Sequence, residues 1–304
     1  MGMRTENTAP MSATSQTGSE SVMPVNDDQF EREKLYQAAE MLPVLRCPVC
    51  GGDMNRAGDD FACHRGHRVN VNRRGCLNFL SAPADSCYDA ALFAARRRVF
   101  ASGCYDAVAE AIAALLPPGE QRLLDAGCGD GWYLSRLLDR HPDWRGAGVD
   151  ISRDAILAAT DQPCTALWCV GDLRRLPFRD GAFTAVLDVL TPANYGEFRR
   201  VLDKSGLLVK VYPGSGYLQE IRAARGMEPY AEGQVDAYLR EKAAVVGETR
   251  VTVAHPVSPE LWRDFVWMTP LNQDLTPTEK DDLAAHPAST VTVDLHVTAC
   301  RWEE

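Results

Sequence analysis

Two groups of residues in this sequence have the types and the spacing that binding or catalysis requires. In the first, residues 123–131, an apolar run ends in Asp125 and continues into glycine at every second position. The pattern predicts a buried strand that turns tightly into a helix, with backbone amides free to approach a ligand. About 20 residues further on, Asp150 closes a second apolar segment, where a carboxylate accepts hydrogen bonds from ribose hydroxyls. Glycines alone mark ordinary turns too, but this combination favours a nucleoside ligand.

Two ligands fit such a turn, a dinucleotide and S-adenosylmethionine (SAM). The dinucleotide pattern is G-x-G-x-x-G, whereas Gly127, Gly129 and Gly131 are evenly spaced. Asp125, directly before the turn, suits the cationic amino-acid end of SAM better than a pyrophosphate. The stretch D-A-G-C-G-D-G resembles the first motif of Rossmann-like SAM-dependent methyltransferases. This resemblance implies cofactor contacts from residues at two strand ends: Asp125, Gly127, Gly129, Asp150 and Ile151.

Four further residues are candidates for the walls of such a site. Trp132 and Tyr133 follow the glycine turn and either cover the cofactor or belong to the core, and Tyr133 is the one we assign to cofactor binding. A third apolar strand, predicted for residues 167–170, is followed by Asp172 and Leu173. In methyltransferases of this kind an acid at that point lies beside the adenine amino group. The resemblance therefore implies that Asp172 and Leu173 lie on the adenine side.

The second group consists of residues that ligate metals. Cys47 and Cys50 form a C-x2-C pair, and a C-x3-H pair follows at Cys63 and His67. Three sulfurs and one imidazole are a tetrahedral ligand set for structural zinc. A small module needs such a metal because it cannot bury enough apolar surface to fold alone. His64 is a competing imidazole, but the spacing favours His67, so the sequence predicts a Zn2+ site.

Arginines cluster around the second pair of ligands and on the segment that follows it. Arg65, Arg68, Arg73 and Arg74 either contact phosphates or are solvated loop charges. The triplet 96–98 faces an RNA backbone, the carboxylate of the cofactor or solvent. Residues 45–100 contain nine arginines and five aspartates, although the whole chain has a net charge of -10. A basic N-terminal part on an acidic body can still steer a polyanion to one end.

Predicted strands and helices alternate after residue 122, which indicates parallel βαβ units. Two late segments, 249–253 and 290–299, are expected to form an antiparallel edge. The fold class is therefore α/β: a Rossmann-like SAM-dependent methyltransferase domain with a small N-terminal zinc-binding module. We expect four parts: a disordered tail (1–27), a short helical extension (28–44), the zinc-binding module (45–84), and the methyltransferase domain with a leading linker helix (85–304).

The composition bears on the compartment. No apolar run approaches the about 20 residues that a membrane span needs, and the polar N-terminus differs from a signal peptide. We therefore expect a cytoplasmic protein without a membrane partner. In a reducing cytosol the 10 cysteines serve as metal ligands and thiols rather than disulfides. Cys76, Cys87 and Cys104 lack paired spacing and are predicted to be buried thiols. The sequence leaves open whether the chain forms a homodimer.

The order of these parts resembles the bacterial 23S ribosomal RNA guanine-N1-methyltransferases, including the branch found as macrolide-resistance enzymes. The four predicted zinc ligands fall on the family's ligands. Tyr88-Asp89 resembles its linker helix, residues 191–202 its strand-four segment, and Met268-Thr269-Pro270 its late loop. The resemblance implies ribosomal RNA as partner, with SAM and Zn2+ as cofactors. The sequence departs from the family at Asp188, where Asn or Arg is expected, and at Leu190-Thr191, which replace an aromatic-Ser pair.

Methylation of guanine N1 requires that its proton is removed as the new bond forms, and a nearby carboxylate can accept that proton. Asp188, at the predicted end of the fourth strand, is a candidate for this base, and it is equally a candidate for binding the methionine amine. Asn194 and Tyr195 are candidates for orienting or stacking an extruded base. Tyr195 could instead simply pack the start of a helix.

Three functions follow from these residues. The first is a SAM-dependent methyltransferase that acts on N1 of a guanine in 23S ribosomal RNA. The second is the same fold acting on a small molecule, such as a natural-product intermediate. The third is an RNA-binding or regulatory module without turnover, against which the intact glycine turn counts. A basic surface around the zinc would favour RNA, and an enclosed apolar pocket lined from residue 212 to residue 268 would favour the small molecule.

Overall fold

A computed structural model describes residues 1–2, 27–82 and 89–302. Most of the predicted tail (1–27) lies outside the described residues, and so do Cys87 and Tyr88. Within the described ranges the chain forms a small three-stranded sheet near the N-terminus and a large eight-stranded sheet. None of the helices in these ranges is both long and apolar enough to cross a lipid bilayer.

The N-terminal part contains a helix and four short strands. They are α1 (Asp27–Met41), β1 (Met54–Ala57), β2 (Asp60–Cys63), β3 (Arg68–Asn70) and β4 (Leu77–Asn78). Helix α1 contributes Leu35 and Tyr36 to the core, whereas Phe30 on the same helix is 56% exposed. Strands β1 to β3 form the small antiparallel sheet. Strand β4 instead pairs in parallel with the edge of the large sheet, so main-chain hydrogen bonds join the predicted zinc module to that sheet.

The remainder of the chain alternates strands with helices. In chain order the elements are α2 (Ala90–Ala101), α3 (Asp106–Leu115), β5 (Arg122–Ala126), α4 (Trp132–Arg140), β6 (Arg145–Asp150), α5 (Arg153–Ala159), β7 (Leu167–Val170), β8 (Phe183–Val189), α6 (Tyr195–Val201), β9 (Leu202–Pro213), α7 (Gln219–Ala224), α8 (Gln234–Lys242), β10 (Ala244–Pro256), α9 (Pro259–Met268), α10 (Pro277–Ala284) and β11 (Thr290–Arg301). A short 3-10 helix, Pro270–Asn272, follows α9.

The large sheet has the strand order β10-β11-β9-β8-β5-β6-β7-β4. Its strands from β4 to β9 are parallel, β11 is antiparallel to β9, and β10 is antiparallel to β11. Helices cover both faces of the parallel part, and every residue of β7 is buried, as parallel strands require. The Rossmann-like α/β fold and its antiparallel edge, both predicted from the sequence, are confirmed.

The order of strands reverses at β5, because the chain continues to β6 and β7 on one side and to β8 and β9 on the other. In the register of the sheet, Asp125 on β5 pairs with Gly148 on β6 and with Leu187 on β8. Ligands of open parallel sheets bind beyond the carboxyl ends of the strands at such a reversal. Asp125 therefore lies where the fold itself places a binding site.

Candidate active site and metal centre

A cavity of about 270 Å³ lies beyond the carboxyl ends of β5, β6, β8 and β9, and we call it the cofactor cavity. Its walls come from α2, the glycine turn after β5, the segment after β8, and residues 268–271. One cavity thus brings together residues that are far apart in the sequence. Five of the predicted cofactor residues line it: Asp125, Gly127, Gly129, Tyr133 and Asp150.

Three carboxylates give this cavity its chemical character. Asp125 and Asp130 are each only 1% exposed, and among the described residues no group donates a hydrogen bond to Oδ2 of either side chain. Burial raises the pKa of Asp125, Asp130 and Asp150, and it raises the pKa of Asp125 to about 8 with help from the two neighbouring carboxylates. Because an unpaired buried carboxylate is costly, this arrangement is suited to a ligand that carries positive charge.

The donor set fits SAM, which carries an ammonium group, a sulfonium cation and a carboxylate. Asp125 and Asp130 offer carboxylate oxygens to its cationic end. Arg96 on α2 also lines the cavity, donates a hydrogen bond to the carbonyl of Met268 at 3.3 Å, and offers a guanidinium to the carboxylate. The sequence leaves three roles open for the arginine triplet. The position of Arg96 favours binding of the cofactor carboxylate.

Asp150 holds the glycine turn by hydrogen bonds and can also accept hydrogen bonds from a ligand. Its Oδ2 accepts a hydrogen bond from the backbone N–H of Gly129 at 2.9 Å, and its Oδ1 accepts one from the N–H of Ser152 at 2.8 Å. Each carboxylate oxygen keeps a second lone pair, so Asp150 can still accept hydrogen bonds from ribose hydroxyls. Ile151, next to it, is 38% exposed and does not line the cofactor cavity, so its predicted cofactor contact stays a prediction.

All three glycines of the turn have left-handed backbone, and two of them also approach neighbouring side chains closely. Gly127 has φ +77°, and a Cβ there would lie 2.5 Å from Oγ1 of Thr191 in the segment after β8. Gly131 has φ +74°, and a Cβ there would lie 2.4 Å from the ring of Trp168. Only glycine accepts both this conformation and this close approach. The turn therefore touches the segment after β8, which brings two walls of the cofactor cavity together.

Aromatic side chains form the inner wall of the cofactor cavity. Tyr133 lines it and is 7% exposed, and its hydroxyl has no hydrogen-bond partner among the described residues. Trp132 instead stacks on Phe100, with ring centroids 4.7 Å apart, and packs against the core. The sequence leaves open whether each of these two residues covers the cofactor or belongs to the core. In the structure Tyr133 lies at the cavity, and Trp132 packs against the core. The hydroxyls of Tyr105 and Tyr217, which also line the cavity, are 3.0 Å apart.

The raised pKa of Asp125 predicts that SAM binding releases a proton. With a pKa of about 8, the free protein keeps this carboxyl largely protonated at pH 7, and an ammonium partner would favour the carboxylate. Calorimetry at pH 7 in buffers of different ionisation enthalpy should show release of close to one proton, and affinity should fall as the pH falls below 8. Asp125→Asn should weaken SAM binding by about 10- to 100-fold, as expected for a lost charged hydrogen bond, and abolish the release.

A matched control for this experiment is Asp139→Asn, which neutralises an exposed aspartate on α4 that does not line the cofactor cavity. We expect Asp139→Asn to bind SAM as the unchanged chain does. Unaltered proton release in Asp125→Asn would contradict the assignment of the cationic end of SAM to Asp125.

Asp172 and Leu173 do not line the cofactor cavity. Asp172 instead accepts hydrogen bonds from the backbone N–H of Arg174 at 2.8 Å and from its guanidinium at 2.6 Å. These hydrogen bonds from Arg174 hold the pKa of Asp172 below its usual value. Asp172 faces a groove shared with the zinc module. The predicted adenine contact therefore has no support in this geometry, since the acid is held by its own turn.

Asp188 is fully buried and paired, and it does not line the cofactor cavity. Its Oδ2 accepts a hydrogen bond from Nζ of Lys210 at 2.8 Å, and the same ammonium donates to the carbonyl of Thr191 at 2.6 Å. Burial raises the pKa of Asp188 to about 6, and Lys210 opposes that rise. Neither predicted role, proton acceptor or partner of the methionine amine, is supported by this geometry. The pair instead fixes the segment that follows β8.

Removing Lys210 should destabilise the fold strongly. Lys210→Met leaves Asp188 buried without its cation, which costs about 3–5 kcal/mol in comparable pairs. Without Lys210, nothing opposes the burial that raises the pKa of Asp188, so the folded variant must bury an unpaired carboxylate at pH 8. At pH 5 the carboxyl is protonated, and the loss of stability should therefore be smaller than at pH 8. Urea unfolding at both pH values measures the difference.

The control for this variant is Lys204→Met, which removes an exposed lysine from the same strand. We expect its free energy of unfolding to stay within about 0.5 kcal/mol of the unchanged chain. Equal stability of Lys210→Met and Lys204→Met would contradict a structural role for the buried pair.

Asn194 and Tyr195 lie at the start of α6. Oδ1 of Asn194 accepts a hydrogen bond from the backbone N–H of Glu197 at 3.2 Å, so the side chain caps the helix. Asn194 does not line the cofactor cavity, and its predicted catalytic role has no support in this geometry. Tyr195 lines a neighbouring cavity, where its ring lies 5.7 Å from that of Tyr238.

The four predicted metal ligands come together in the small N-terminal module. The ligand atoms of Cys47, Cys50, Cys63 and His67 all lie within 4.8 Å of one another. Sγ of Cys63 is 3.3 Å from Nδ1 of His67. His64, the competing imidazole, is exposed and lies outside the group. Three thiols and an inward-facing imidazole are the donor set that tetrahedral zinc requires.

Tight turns hold these ligands in place. In the first pair, the N–H of Gly51 donates to the carbonyl of Cys47 at 2.9 Å, and in the second the N–H of Gly66 donates to the carbonyl of Cys63 at 2.9 Å. Cys76 and Cys104 lie apart from this group and are 1% and 4% exposed, so their prediction as buried thiols is confirmed.

The arginines differ in their partners. Arg74 bonds to Asp161, just after α5, and Arg97 bonds to the same aspartate at 3.1 Å. Arg98 pairs with Asp264 on α9 at 2.6 Å, and Arg68 pairs with Asp60 at 3.6 Å. Arg65 and Arg73 are exposed and stay available to a polyanion.

Comparison with known proteins adds to this geometry. A profile of the family described as a methyltransferase domain matches residues 123–206, which begin in β5 and end in β9. The 23S rRNA (guanine(748)-N(1))-methyltransferase of Streptomyces fradiae is 30% identical over 272 residues, which cover 84% of this chain and 96% of that protein. YxjB of Bacillus subtilis (strain 168), provisionally named a 23S rRNA (guanine-N(1)-)-methyltransferase, is 38% identical over 190 residues, 59% of this chain and 67% of that protein.

The fold, the cofactor cavity and these similarities define the class, which is that of the SAM-dependent methyltransferases. Within that class, this chain belongs to the family of 23S rRNA (guanine-N1)-methyltransferases, because it is 30% identical to a member of that family over 96% of that protein's length. The resemblance stated from the sequence is confirmed. The third function, a module without turnover, is disfavoured accordingly.

Proposed function

We propose that this chain transfers the methyl group of SAM to N1 of a guanine in 23S ribosomal RNA. One observation carries the proposal: a cavity lined by three carboxylates, two of them buried, and a Cys/His cluster beside an arginine-lined groove occur in one chain. The names of the two relatives support it. We further propose that the four clustered side chains bind Zn2+ and that the metal holds the module in shape for RNA.

A groove between the zinc module and the large sheet supports an RNA partner. It has a volume of about 1020 Å³ and includes two of the clustered cysteines in its wall. Four arginines line it, Arg46, Arg68, Arg175 and Arg200, against two acids, Asp172 and Glu197. Arg46 and Arg200 are ion-paired with Asp180, Arg200 also with Glu197, and Arg68 with Asp60. Arg175 is exposed. A basic surface around the metal cluster is the feature that favours RNA over a small molecule.

The residues of the cofactor cavity would act by binding and orienting. SAM, when bound, would supply an electrophilic methyl group and leave as S-adenosylhomocysteine, and the proton of guanine N1 would pass to water. Asp125 and Asp130 hold its cationic end, Arg96 its carboxylate, and Asp150 its ribose. Transfer requires the acceptor nitrogen about 3 Å from the methyl carbon, so most of the catalysis comes from positioning. Guanine N1 lies on the Watson–Crick edge, and the base must therefore be unpaired when it reacts.

A small-molecule acceptor is the second candidate, and one observation favours it. Apolar and aromatic side chains from residues 212–268 line the inner part of the cofactor cavity, and an apolar pocket in this region would favour a small molecule. They include Pro213, Tyr217, Tyr230 and Met268. Such a wall also suits a nucleobase. The family membership and the basic groove lead us to prefer RNA.

Methyl transfer from tritiated SAM distinguishes these candidates. The full chain would be incubated with 23S rRNA from cells that lack such enzymes, and with 16S rRNA from the same cells as a matched control. We expect label in 23S rRNA only, and none with Asp125→Asn at limiting SAM. Equal labelling of both RNAs, or label only in a small-molecule fraction, would contradict the proposal.

A further inference from the structure

A second cavity adjoins the cofactor cavity, and we call it the tyrosine cavity after Tyr195, Tyr212, Tyr230 and Tyr238, which line it. Its volume is about 520 Å³. It shares four lining residues with the cofactor cavity: Leu190, Thr191, Pro213 and Tyr230. A ligand in the tyrosine cavity would therefore contact a wall that also faces the cofactor cavity.

The lining of the tyrosine cavity suits a flat ring. The rings of Tyr195 and Tyr238 meet edge to face, with centroids 5.7 Å apart and an interplanar angle of 61°. Tyr238 is 51% exposed, with Nζ of Lys242 4.9 Å from its ring centroid, and Leu190 is 40% exposed. Aromatic faces next to an exposed leucine offer stacking surface on which a base can bind.

The charges of the tyrosine cavity exclude a phosphate as its ligand. Among the described residues that line it, Lys210 is the one charged side chain. The ammonium of Lys210 is 6% exposed and already donates to Asp188 and to the carbonyl of Thr191. No free cation remains for an anion, while the hydroxyls of Tyr195 and Tyr238 and the amide of Gln234 can bond to a neutral polar ring.

The wall between the two cavities is held in a strained conformation. Leu190 has φ +55°, in the left-handed region that costs a residue with a side chain about 1 kcal/mol or more. Its N–H donates to the carbonyl of Val211 at 3.0 Å, and the next carbonyl, that of Thr191, accepts from Lys210. The buried Asp188–Lys210 pair thus fixes the segment that carries Leu190 to the junction of both cavities.

We propose that the tyrosine cavity receives the acceptor base, a neutral purine extruded from single-stranded RNA, and packs it against the paired rings of Tyr195 and Tyr238. This assignment rests on the proposed function, since it names the place where the acceptor of that reaction binds. Leu190, which lines both cavities, then limits how far the base enters, so that its N1 stops within reach of the methyl group. Asp188 and Lys210 act as positioning residues through Leu190 and Thr191.

The test uses the full chain loaded with S-adenosylhomocysteine and titrated with guanosine. We expect saturable binding, weakened about 5- to 100-fold in Tyr195→Ala and in Tyr238→Ala, as for the loss of base stacking. Tyr238→Phe, which keeps the ring and loses the hydroxyl, should lose less affinity for guanosine than Tyr238→Ala does. Phe30→Ala, which removes an exposed ring on α1, is the matched control. SAM affinity should stay unchanged in all four variants.

Methyl transfer to 23S rRNA gives the second readout. The two alanine variants should raise KM for RNA more than they lower kcat, and Tyr238→Phe should raise KM less than Tyr238→Ala does. Absence of guanosine binding, or equal binding by the alanine variants and Phe30→Ala, would overturn the assignment even if RNA is methylated. If no RNA is methylated, the proposed function fails, and the guanosine titration alone decides whether the tyrosine cavity binds a base.

Discussion

Gly127→Ala is expected to reduce the affinity for SAM by about 100-fold. Gly127 has φ +77°, and the added Cβ would lie 2.5 Å from Oγ1 of Thr191. Left-handed backbone costs alanine about 1–2 kcal/mol, and overpacking of this kind costs about 1–3 kcal/mol more. The turn or the segment after β8 must therefore move, and both line the cofactor cavity. Calorimetric titration of the purified variant with SAM measures the effect.

Gly119→Ala separates this local effect from backbone strain in general. Gly119 has φ +101°, but no atom lies within 4 Å of a Cβ built there, and it does not line the cofactor cavity. We expect Gly119→Ala to lose some stability and to bind SAM normally. A Gly127→Ala variant that binds SAM as tightly as Gly119→Ala would show that the turn does not form the cofactor site.

His67→Ala is expected to release the zinc and to abolish methylation of RNA while SAM binding persists. Zinc contributes about 10–16 kcal/mol to the folding of comparable small modules, so the small sheet should unfold without it. The cofactor cavity has no lining residue from that sheet, and SAM affinity should change by less than about threefold. Metal analysis should fall from one zinc per chain to none, and RNA methylation should fall by at least about 100-fold.

His64→Ala is the matched control for the zinc site, because it removes an exposed imidazole three residues away that lies outside the cluster. We expect His64→Ala to keep one zinc per chain. Zinc retained by His67→Ala but lost from His64→Ala would reverse the choice of ligand. Full RNA methylation by zinc-free His67→Ala would contradict the role of the metal.

The parts of the site that lie close together in the sequence could be predicted from it. The glycine turn with Asp125 follows from a local pattern, since the strand, the turn and the acid are consecutive residues. The same holds for the metal ligands, because each pair occupies one tight turn. The fold class follows from the alternation of strands and helices. These features depend on short-range geometry, which the sequence expresses directly.

The roles of Asp188 and Asp172 could not be predicted, because each depends on the partner of a carboxylate. Asp188 pairs with Lys210, which lies 22 positions later on the neighbouring strand. Asp172 pairs with Arg174, two positions later. A strand-end acid was expected to face the ligand in both cases. The sequence pattern does not indicate that each of these carboxylates pairs with a cation of the chain instead of with a ligand.

Some elements of the last third carry signals that would have predicted them. Helix α9 begins with Ser258 as its cap and Pro259 at its first position, and α10 begins with Thr276 and Pro277 in a capping box with Glu279. Strand β4 is different, because a two-residue segment has no periodicity. Its pairing with the edge of the large sheet is a property of the tertiary structure alone.

The most direct test of the central claim is the identity of the methylated nucleoside. 23S rRNA treated with the full chain and SAM would be digested to nucleosides and analysed by mass spectrometry, and the position would be mapped by reverse transcription, which N1-methylguanine blocks. We predict 1-methylguanosine at a single position, formed by the unchanged chain and not by Gly127→Ala at limiting SAM. Methylation at another atom, on another base or at many positions would contradict the account.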